Sequence, residues 1–443
     1  MNLKQLEQKI TTEKRPVVCF GTGLMAEDAV ENCPAVRESV SFFIDNDPEK
    51  TGKTILLGGR EFPVLSPECA ISQMPDHAVV LLTSGHYQAM REQLLELGLD
   101  GQTEMYDFPV LKVAYEPESG EFFEERFVKE CLKEYRIVLE QYGICGTERQ
   151  TKLQEKEAYL RGDGSGRPFV IPRVMVMPTT RCNLRCKGCS SLLPYFDRPQ
   201  DCEVEQILHD FRIFFSGIDQ CMRITVGGEP FLYPHLGEIL EYLLREEKVL
   251  GIMLITNSML LPGDDVLPLL SDPKILVEVS DYGQLEKMSR LIRVLEDNRV
   301  NFKVLTEQTW TDMGGIECRN RTEEELRFTY MNCDQGRVIK GMHNGRFYTC
   351  ARSARMTALG AYDSSNDSFE LSDHDTPEQV REKLMKMYYS DHADSCNYCD
   401  LGALPTKVIP AGIQMSANMK KSAYTIVNRE EYERLKLLAQ IRD

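Results

Sequence analysis

The chain lacks several things. No apolar run approaches the roughly 18 residues of a membrane-spanning helix, so no membrane partner is expected. The opening residues, MNLKQLEQKITTEKRP, have no apolar stretch of the kind that marks a secretory signal. Positive charge is scarce: 52 Lys and Arg stand against 69 Asp and Glu, a net charge of −17. That balance argues against a nucleic-acid partner and reads most simply as solubility. There is one tryptophan, Trp310. Cysteine, by contrast, is plentiful, with 15 in 443 residues. Without a secretory signal these point to metal ligation in a reducing, cytoplasmic setting rather than to disulfides. The length suits two or three domains.

The densest cysteine group is Cys182, Cys186 and Cys189, spaced Cys-x3-Cys-x2-Cys. Three thiolates this close can hold three irons of a [4Fe–4S] cluster and leave the fourth iron open to another ligand. The alternative is a structural zinc knuckle, but zinc usually closes with four ligands and none follows Cys189 closely. The run RCNLRCKGC at 181–189 resembles the signature of the radical S-adenosylmethionine (SAM) superfamily. That resemblance implies a cluster whose open iron binds the amino and carboxylate groups of SAM. The reduced cluster then releases a 5′-deoxyadenosyl radical that abstracts hydrogen from substrate. The residue before the third cysteine is usually aromatic in that family and contacts adenine; here it is Gly188.

From residue 171 on, strands and helices alternate. Expected strands run over 174–177, 222–226, 252–255, 275–279 and 302–305, with helices over 204–215, 235–247 and 285–295. In such a (β/α) barrel, function collects at the C-terminal ends of strands. The cysteine loop, Gly227-Gly228-Glu229, Thr256-Asn257-Ser258 and Ser280-Asp281 all fall at such ends. Gly227, Gly228 and Glu229 resemble the family's GGE element, which supports the SAM amino group. Thr256, Asn257 and Ser280 match positions that often contact SAM, although such residues also commonly cap the next helix. Asp281, Tyr195, Arg352 and Trp310 are candidates to face substrate. His343 reads as a solvated residue beside a turn. No catalytic acid or base stands out.

A second group comprises Cys333, Cys350, Cys396 and Cys399. A hairpin with an Asn344-Gly345 turn separates the first two. A helix capped by Thr376 and Gln379 leads to the last pair. Four thiolates suit a closed cluster or a zinc site equally by ligand count. Their order resembles the twitch domain, a shortened SPASM domain, and that resemblance implies an auxiliary [4Fe–4S] cluster.

Residues 16–99 also read as strand–helix alternation, with strands at 16–20, 40–44 and 78–82. The turn Gly21-Thr22-Gly23-Leu24-Met25-Ala26 and Asp45 fit a dinucleotide fingerprint, or any tight strand-to-helix turn. The segment, with FFIDNDPEKTGK at 42–53, resembles Rossmann-like domains attached to sugar-modifying and capsule-associated proteins.

The expected fold class is therefore α/β: a partial (β/α)6 TIM-like barrel, preceded by a Rossmann-like parallel α/β domain and followed by a small α+β cluster-binding domain. The expected boundaries are 1–114, a helical connector and linker at 115–170, the barrel at 171–325, the twitch/SPASM-like part at 326–404 and a tail at 405–443. The expected function is radical SAM hydrogen abstraction from a small polar molecule, a sugar or nucleotide-sugar, with alcohol oxidation by analogy to a twitch-containing aminocyclitol dehydrogenase. A reductant such as flavodoxin or ferredoxin is implied. Ribosomal-peptide modification, and electron transfer or sensing without catalysis, are the alternatives.

Overall fold

A computed structural model describes residues 3–84, 87–108, 111, 120–162, 167–306, 309–403 and 407–415. Residues 163–166 of the expected glycine-rich linker lie outside this set, as does the expected helical tail beyond Met415. The chain forms two compact units, one from the first 119 residues and one from 120–402 with 407 onward.

The first unit is built on β1 (Val17–Phe20), β2 (Val40–Ile44), β3 (Thr54–Leu57), β4 (Arg60–Leu65), β5 (Val79–Leu82) and β6 (Glu104–Asp107). Their order is β3-β4-β2-β1-β5-β6. All neighbouring pairs are parallel except β3 with β4. β1 is buried throughout because both faces are covered: Val17 and Cys19 enter one apolar core, Val18 and Phe20 the other. The chain departs from β1 to both sides of the sheet, the arrangement that opens a crevice at strand C-termini. The β3–β4 hairpin turns on Gly58 and Gly59, at φ 53° and 77°. The helix Tyr87–Glu96 buries Leu94 but leaves Leu95 and, just past its end, Leu97 exposed by 42% and 36%.

In the second unit, β7 (Val170–Val176), β8 (Gln220–Val226), β9 (Val249–Thr256), β10 (Ile275–Ser280) and β11 (Phe302–Leu305) lie side by side and parallel. β12 (Thr309–Thr311) leaves this sheet. A sixth parallel strand, β13 (Ile339–His343), joins the free edge of β7, and β14 (Arg346–Tyr348) and β15 (Ser368–Glu370) extend the sheet antiparallel. The expected hairpin at Asn344-Gly345 (φ 47° and 79°) is present, but it supplies the sixth strand instead of a separate sheet. Finally β16 (Val408–Pro410) pairs antiparallel with β12.

Helices Val204–Ser216, Leu236–Arg245, Leu285–Asp297 and Pro377–Tyr388 cover one face of the sheet through a continuous apolar core. Phe211 and Phe214 of the first are fully buried, as are Leu291 and Leu295 of the third. The other face carries polar pairs, such as Arg173 donating to Thr225 at 2.9 Å and Lys303 beside Glu278 at 2.8 Å. The expected connector is two helices, Gly120–Gln141 and Gly146–Arg161, and the first buries Val128, Cys131 and Leu139. The side chain of Phe123 lies outside the described residues. Among the described residues no helix is long and apolar enough to cross a membrane.

Candidate cofactor and metal centre

β7 ends at Val176 and the cysteine loop follows. Thr179 anchors its start, accepting from the Arg181 N–H at 2.9 Å and donating to Asp201 at 2.6 Å. Cys182 Sγ accepts from the Leu184 N–H at 3.4 Å, and the Cys189 N–H reaches the Cys186 carbonyl at 3.3 Å. Burial pushes the Cys182 thiol up to about 11 and the Cys186 thiol up to about 12. Thiolates here therefore form only against a positive centre. Gly188 has φ 75°, and a Cβ on it would stand 2.2 Å from Ile409 Cδ1. A side chain here would strain the backbone and displace the tip of Ile409.

The GGE strand end lies against the base of that loop. Gly228 (φ 85°) would place a Cβ 2.9 Å from the Thr179 carbonyl, and a Cβ on Gly227 would meet Met175 Sδ at 3.1 Å. Glu229 is 1% exposed. One carboxylate oxygen accepts from Thr256 Oγ1 at 2.8 Å, the other from the Asn257 N–H at 2.9 Å. Burial raises its carboxyl to about 7 against these donors. Asn257 Nδ2 donates to Asn183 Oδ1 at 2.7 Å and lies 3.5 Å from Cys182 Sγ. Glu229, Thr256, Asn257 and Cys182 thus form one connected chain across the ends of β7, β8 and β9.

Ser258 completes the edge. It is 1% exposed with φ 63°, and its Oγ has no partner among the described residues. A buried hydroxyl in left-handed backbone is a costly arrangement that usually answers to function. The sequence names the tripeptide but nothing in it singles out Ser258. Ser280 is buried at the end of β10, hydrogen-bonded to Tyr282. Asp281 is occupied by the Gly283 N–H at 2.8 Å.

The second cysteine group also converges. Cys333, Cys350, Cys396 and Cys399 line one cavity of about 50 Å³, with Arg352, Ser190 and Met313. Cys333 Sγ accepts from the Gly336 N–H at 3.1 Å and Cys350 Sγ from the Ser353 N–H at 3.3 Å. Arg321 binds the Cys399 carbonyl at 2.7 Å, and its own N–H meets Asn397 Oδ1 at 2.6 Å. Lys340 is fully buried and donates only to uncharged oxygens, Tyr330 Oη at 3.0 Å and the Gly336 carbonyl at 2.8 Å. Burial lowers it to about 8, and the Cys350 thiol, the Asp367 carboxylate and the thiols of Cys333 and Cys396 lie within reach of its charge. Among the described residues no three His, Cys, Asp or Glu side chains close around a single ion. A cubane asks instead for one thiolate at each corner.

The remaining candidates divide. Arg352 lines the cavity and ties down the Gly314 and Gly315 carbonyls at 2.6 and 2.9 Å. Tyr195 packs into an apolar cluster with Leu192 and Met356. His343 is not solvated: it is half-buried, with Nδ1 3.4 Å from Cys202 Sγ and 3.1 Å from the Met177 carbonyl. Trp310 meets Tyr282 edge-on at 5.5 Å. None of the 15 cysteines forms a disulfide. In the first unit, Asp45 accepts from Thr22 Oγ1 and from the Asp47 N–H.

Comparison with known proteins gives the same picture for the first group. Residues 176–280 match the model of the radical SAM superfamily. A stretch of 94 residues is 33% identical to GTP 3′,8-cyclase of Helicobacter pylori strain HPAG1, covering 21% of this chain and 29% of that protein. The chain thus spans under a third of the length of the curated relatives it matches. Among solved structures, BtrN in complex with AdoMet and 2-DOIA is 16% identical, with TM-score 0.33, covering 53% of this chain and 95% of that one. Native anSMEcpe with bound AdoMet is 13% identical, with TM-score 0.34, covering 61% and 100%. SuiB of Streptococcus suis bound to precursor peptide SuiA is 15% identical, with TM-score 0.25, covering 36% and 37%. The radical SAM match thus falls on the segment that carries the cysteine loop and the ends of β7 to β10.

Proposed function

We propose that the protein is an enzyme that takes a hydrogen atom from a small polar substrate, a sugar or nucleotide-linked sugar, and oxidises an alcohol on it. Cys182, Cys186 and Cys189 would hold a [4Fe–4S] cluster. Gly227, Gly228, Glu229, Thr256, Asn257 and Ser280 would hold SAM. When bound, cluster and SAM together supply a 5′-deoxyadenosyl radical.

The observation that carries the reading is the buried chain from Cys182 through Asn257 to Glu229 and Thr256. It fixes three strand ends relative to one another, as a site for two bound groups requires. The Glu229 carboxylate, with Thr256, Asn257 and Phe231 as donors, keeps acceptor capacity that suits an ammonium. Ser258 Oγ supplies an unused polar atom just past the end of β9. Gly227 and Gly228 let a ligand approach the backbone.

Cys333, Cys350, Cys396 and Cys399 would hold an auxiliary cluster, which would accept the second electron of the alcohol's oxidation while the hydroxyl proton leaves to solvent. Lys340 supports this: its buried ammonium makes no ion pair at hydrogen-bond distance, and thiolates at Cys350, Cys333 and Cys396 would join Asp367 in opposing its charge. The Rossmann-like first unit supports the sugar-nucleotide reading. A flavodoxin or ferredoxin would deliver the electron.

The test is 5′-deoxyadenosine formation. Full-length protein is reconstituted with iron and sulfide without oxygen, then given dithionite and SAM, beside a Cys182/Cys186/Cys189→Ala variant. Product from the wild type alone is expected. No product from a fully loaded, reduced wild type, with or without candidate sugars, sinks the proposal. Cys333→Ala is expected to lower both iron content and turnover; if neither changes, the auxiliary site is refuted.

A further inference from the structure

The segment from 407 to 415 carries no recognisable motif, yet it lies on the cysteine loop. β16 brings Ile409, 2% exposed, opposite Trp310 of β12. Ile409 Cδ1 fills the space that a side chain at position 188 would need. Gly412 turns at φ 68°, and a Cβ there would stand 2.8 Å from the Tyr282 ring. The chain then runs antiparallel to the loop, with Gln414 paired to Cys186. Two backbone bonds flank that pair: the Lys187 N–H to the Ile413 carbonyl at 2.7 Å, and the Met415 N–H to the Arg185 carbonyl at 2.8 Å.

Between those bonds sits the Gln414 carboxamide. Its Oε1 accepts from the Arg185 N–H at 2.8 Å. Its Nε2 lies 3.1 Å from Cys186 Sγ and 2.7 Å from the Gly412 carbonyl. The orientation is chemically forced. A backbone N–H can only donate, so Oε1 must face Arg185, and the amide hydrogens are left for the carbonyl and the sulfur.

We infer that Gln414 is a positioning residue for the cluster: it holds one N–H on the Cys186 thiolate and so raises the potential at which the cluster is reduced. This rests on the reading that Cys182, Cys186 and Cys189 hold that cluster. Reduction adds negative charge, part of which falls on the sulfurs, so a donor to sulfur stabilises the reduced form more than the oxidised one. Cys186 is 8% exposed, which limits the access of water to the same sulfur. The Leu184 N–H and Asn257 Nδ2, 3.4 and 3.5 Å from Cys182 Sγ, are longer-range donors to a second sulfur.

Potentiometric reduction of the reconstituted full chain, followed by electron paramagnetic resonance, is the test. The variants are Gln414→Leu, which loses both ends of the amide, and Gln414→Glu, which keeps the acceptor for Arg185 and loses the donor. The wave to follow is the one abolished in Cys182/Cys186/Cys189→Ala. In both variants the ratio of reduced to oxidised cluster at a fixed potential should fall about tenfold, the worth of one charge-assisted hydrogen bond, which is about 59 mV for one electron. Equal potentials in the wild type and both variants, at equal iron content, overturn the inference and leave the cluster reading standing. If no wave depends on the three cysteines in the wild type, the cluster reading itself fails.

Discussion

Gly188 shows how one residue can be read two ways. In the sequence it is a missing aromatic. In the structure its φ of 75° and the Ile409 methyl 2.2 Å from the Cβ point favour glycine. Gly188→Ala is expected to cost about 1–3 kcal/mol through backbone strain alone, with further loss as Ile409 is displaced. Chemical denaturation of the unloaded protein checks this; an unchanged midpoint would refute it. His343 gives a pH-dependent counterpart. Burial and the nearby Arg355 guanidinium lower it to about 4 from an ordinary value of 6.5. The folded state therefore keeps this ring neutral where the unfolded chain charges it. Its contribution is present above about pH 6.5 and is lost as the pH falls towards 4. His343→Gln should flatten the stability–pH curve in that window, and a curve with the wild-type slope would show that other groups account for it. Neither residue's surroundings could be read from sequence, because both are set by chain more than 60 positions distant or by the far side of the sheet: Ile409 for one, Met177 and Cys202 for the other.

Elements were more legible than residues, for a local reason. The helix Pro377–Tyr388 begins with Thr376 accepting from the Gln379 N–H, and the Gln379 side chain returns the bond to the Thr376 N–H at 2.9 Å. Such a box is written within four consecutive residues, so sequence suffices to find it. Thr376→Ala is expected to lower stability by about 1 kcal/mol, read as a shifted urea midpoint with an unchanged slope; no shift would mean that the packing of Val380 and Leu384 alone holds the helix. The Asn344-Gly345 turn was equally visible, as were the strands of β7 to β11. The partner of the hairpin was not. That β13 runs parallel to β7 depends on pairing across more than 160 positions, and no local pattern encodes it. The β3–β4 hairpin is a different case: Gly58-Gly59 between two strand-like runs is a local turn signal of the same kind, with nothing non-local to hide it.

At the scale of the whole molecule, the motifs at strand ends pointed to the segment that matches the radical SAM model, since a parallel sheet must bring its C-terminal ends together. The convergence of Cys333, Cys350, Cys396 and Cys399 on one cavity follows from the fold around them, and their spacing alone left zinc open. The segment at 407–415 had no legible role because its meaning lies in antiparallel pairing with a loop more than 200 positions earlier.

That pairing has an optical consequence. Trp310 is the sole tryptophan of the chain. It stands opposite Ile409, edge-on to Tyr282, with Cε3 4.0 Å from the point where a Gly188 Cβ would be. All indole emission therefore originates beside the cysteine loop, and the molecule carries its own fluorescent probe there. Iron–sulfur loading should quench this emission, and SAM should change it again in the loaded protein but not in Cys182/Cys186/Cys189→Ala. Trp310→Phe supplies the dark control. An emission spectrum indifferent to both additions would mean that the indole does not sense the loop it covers.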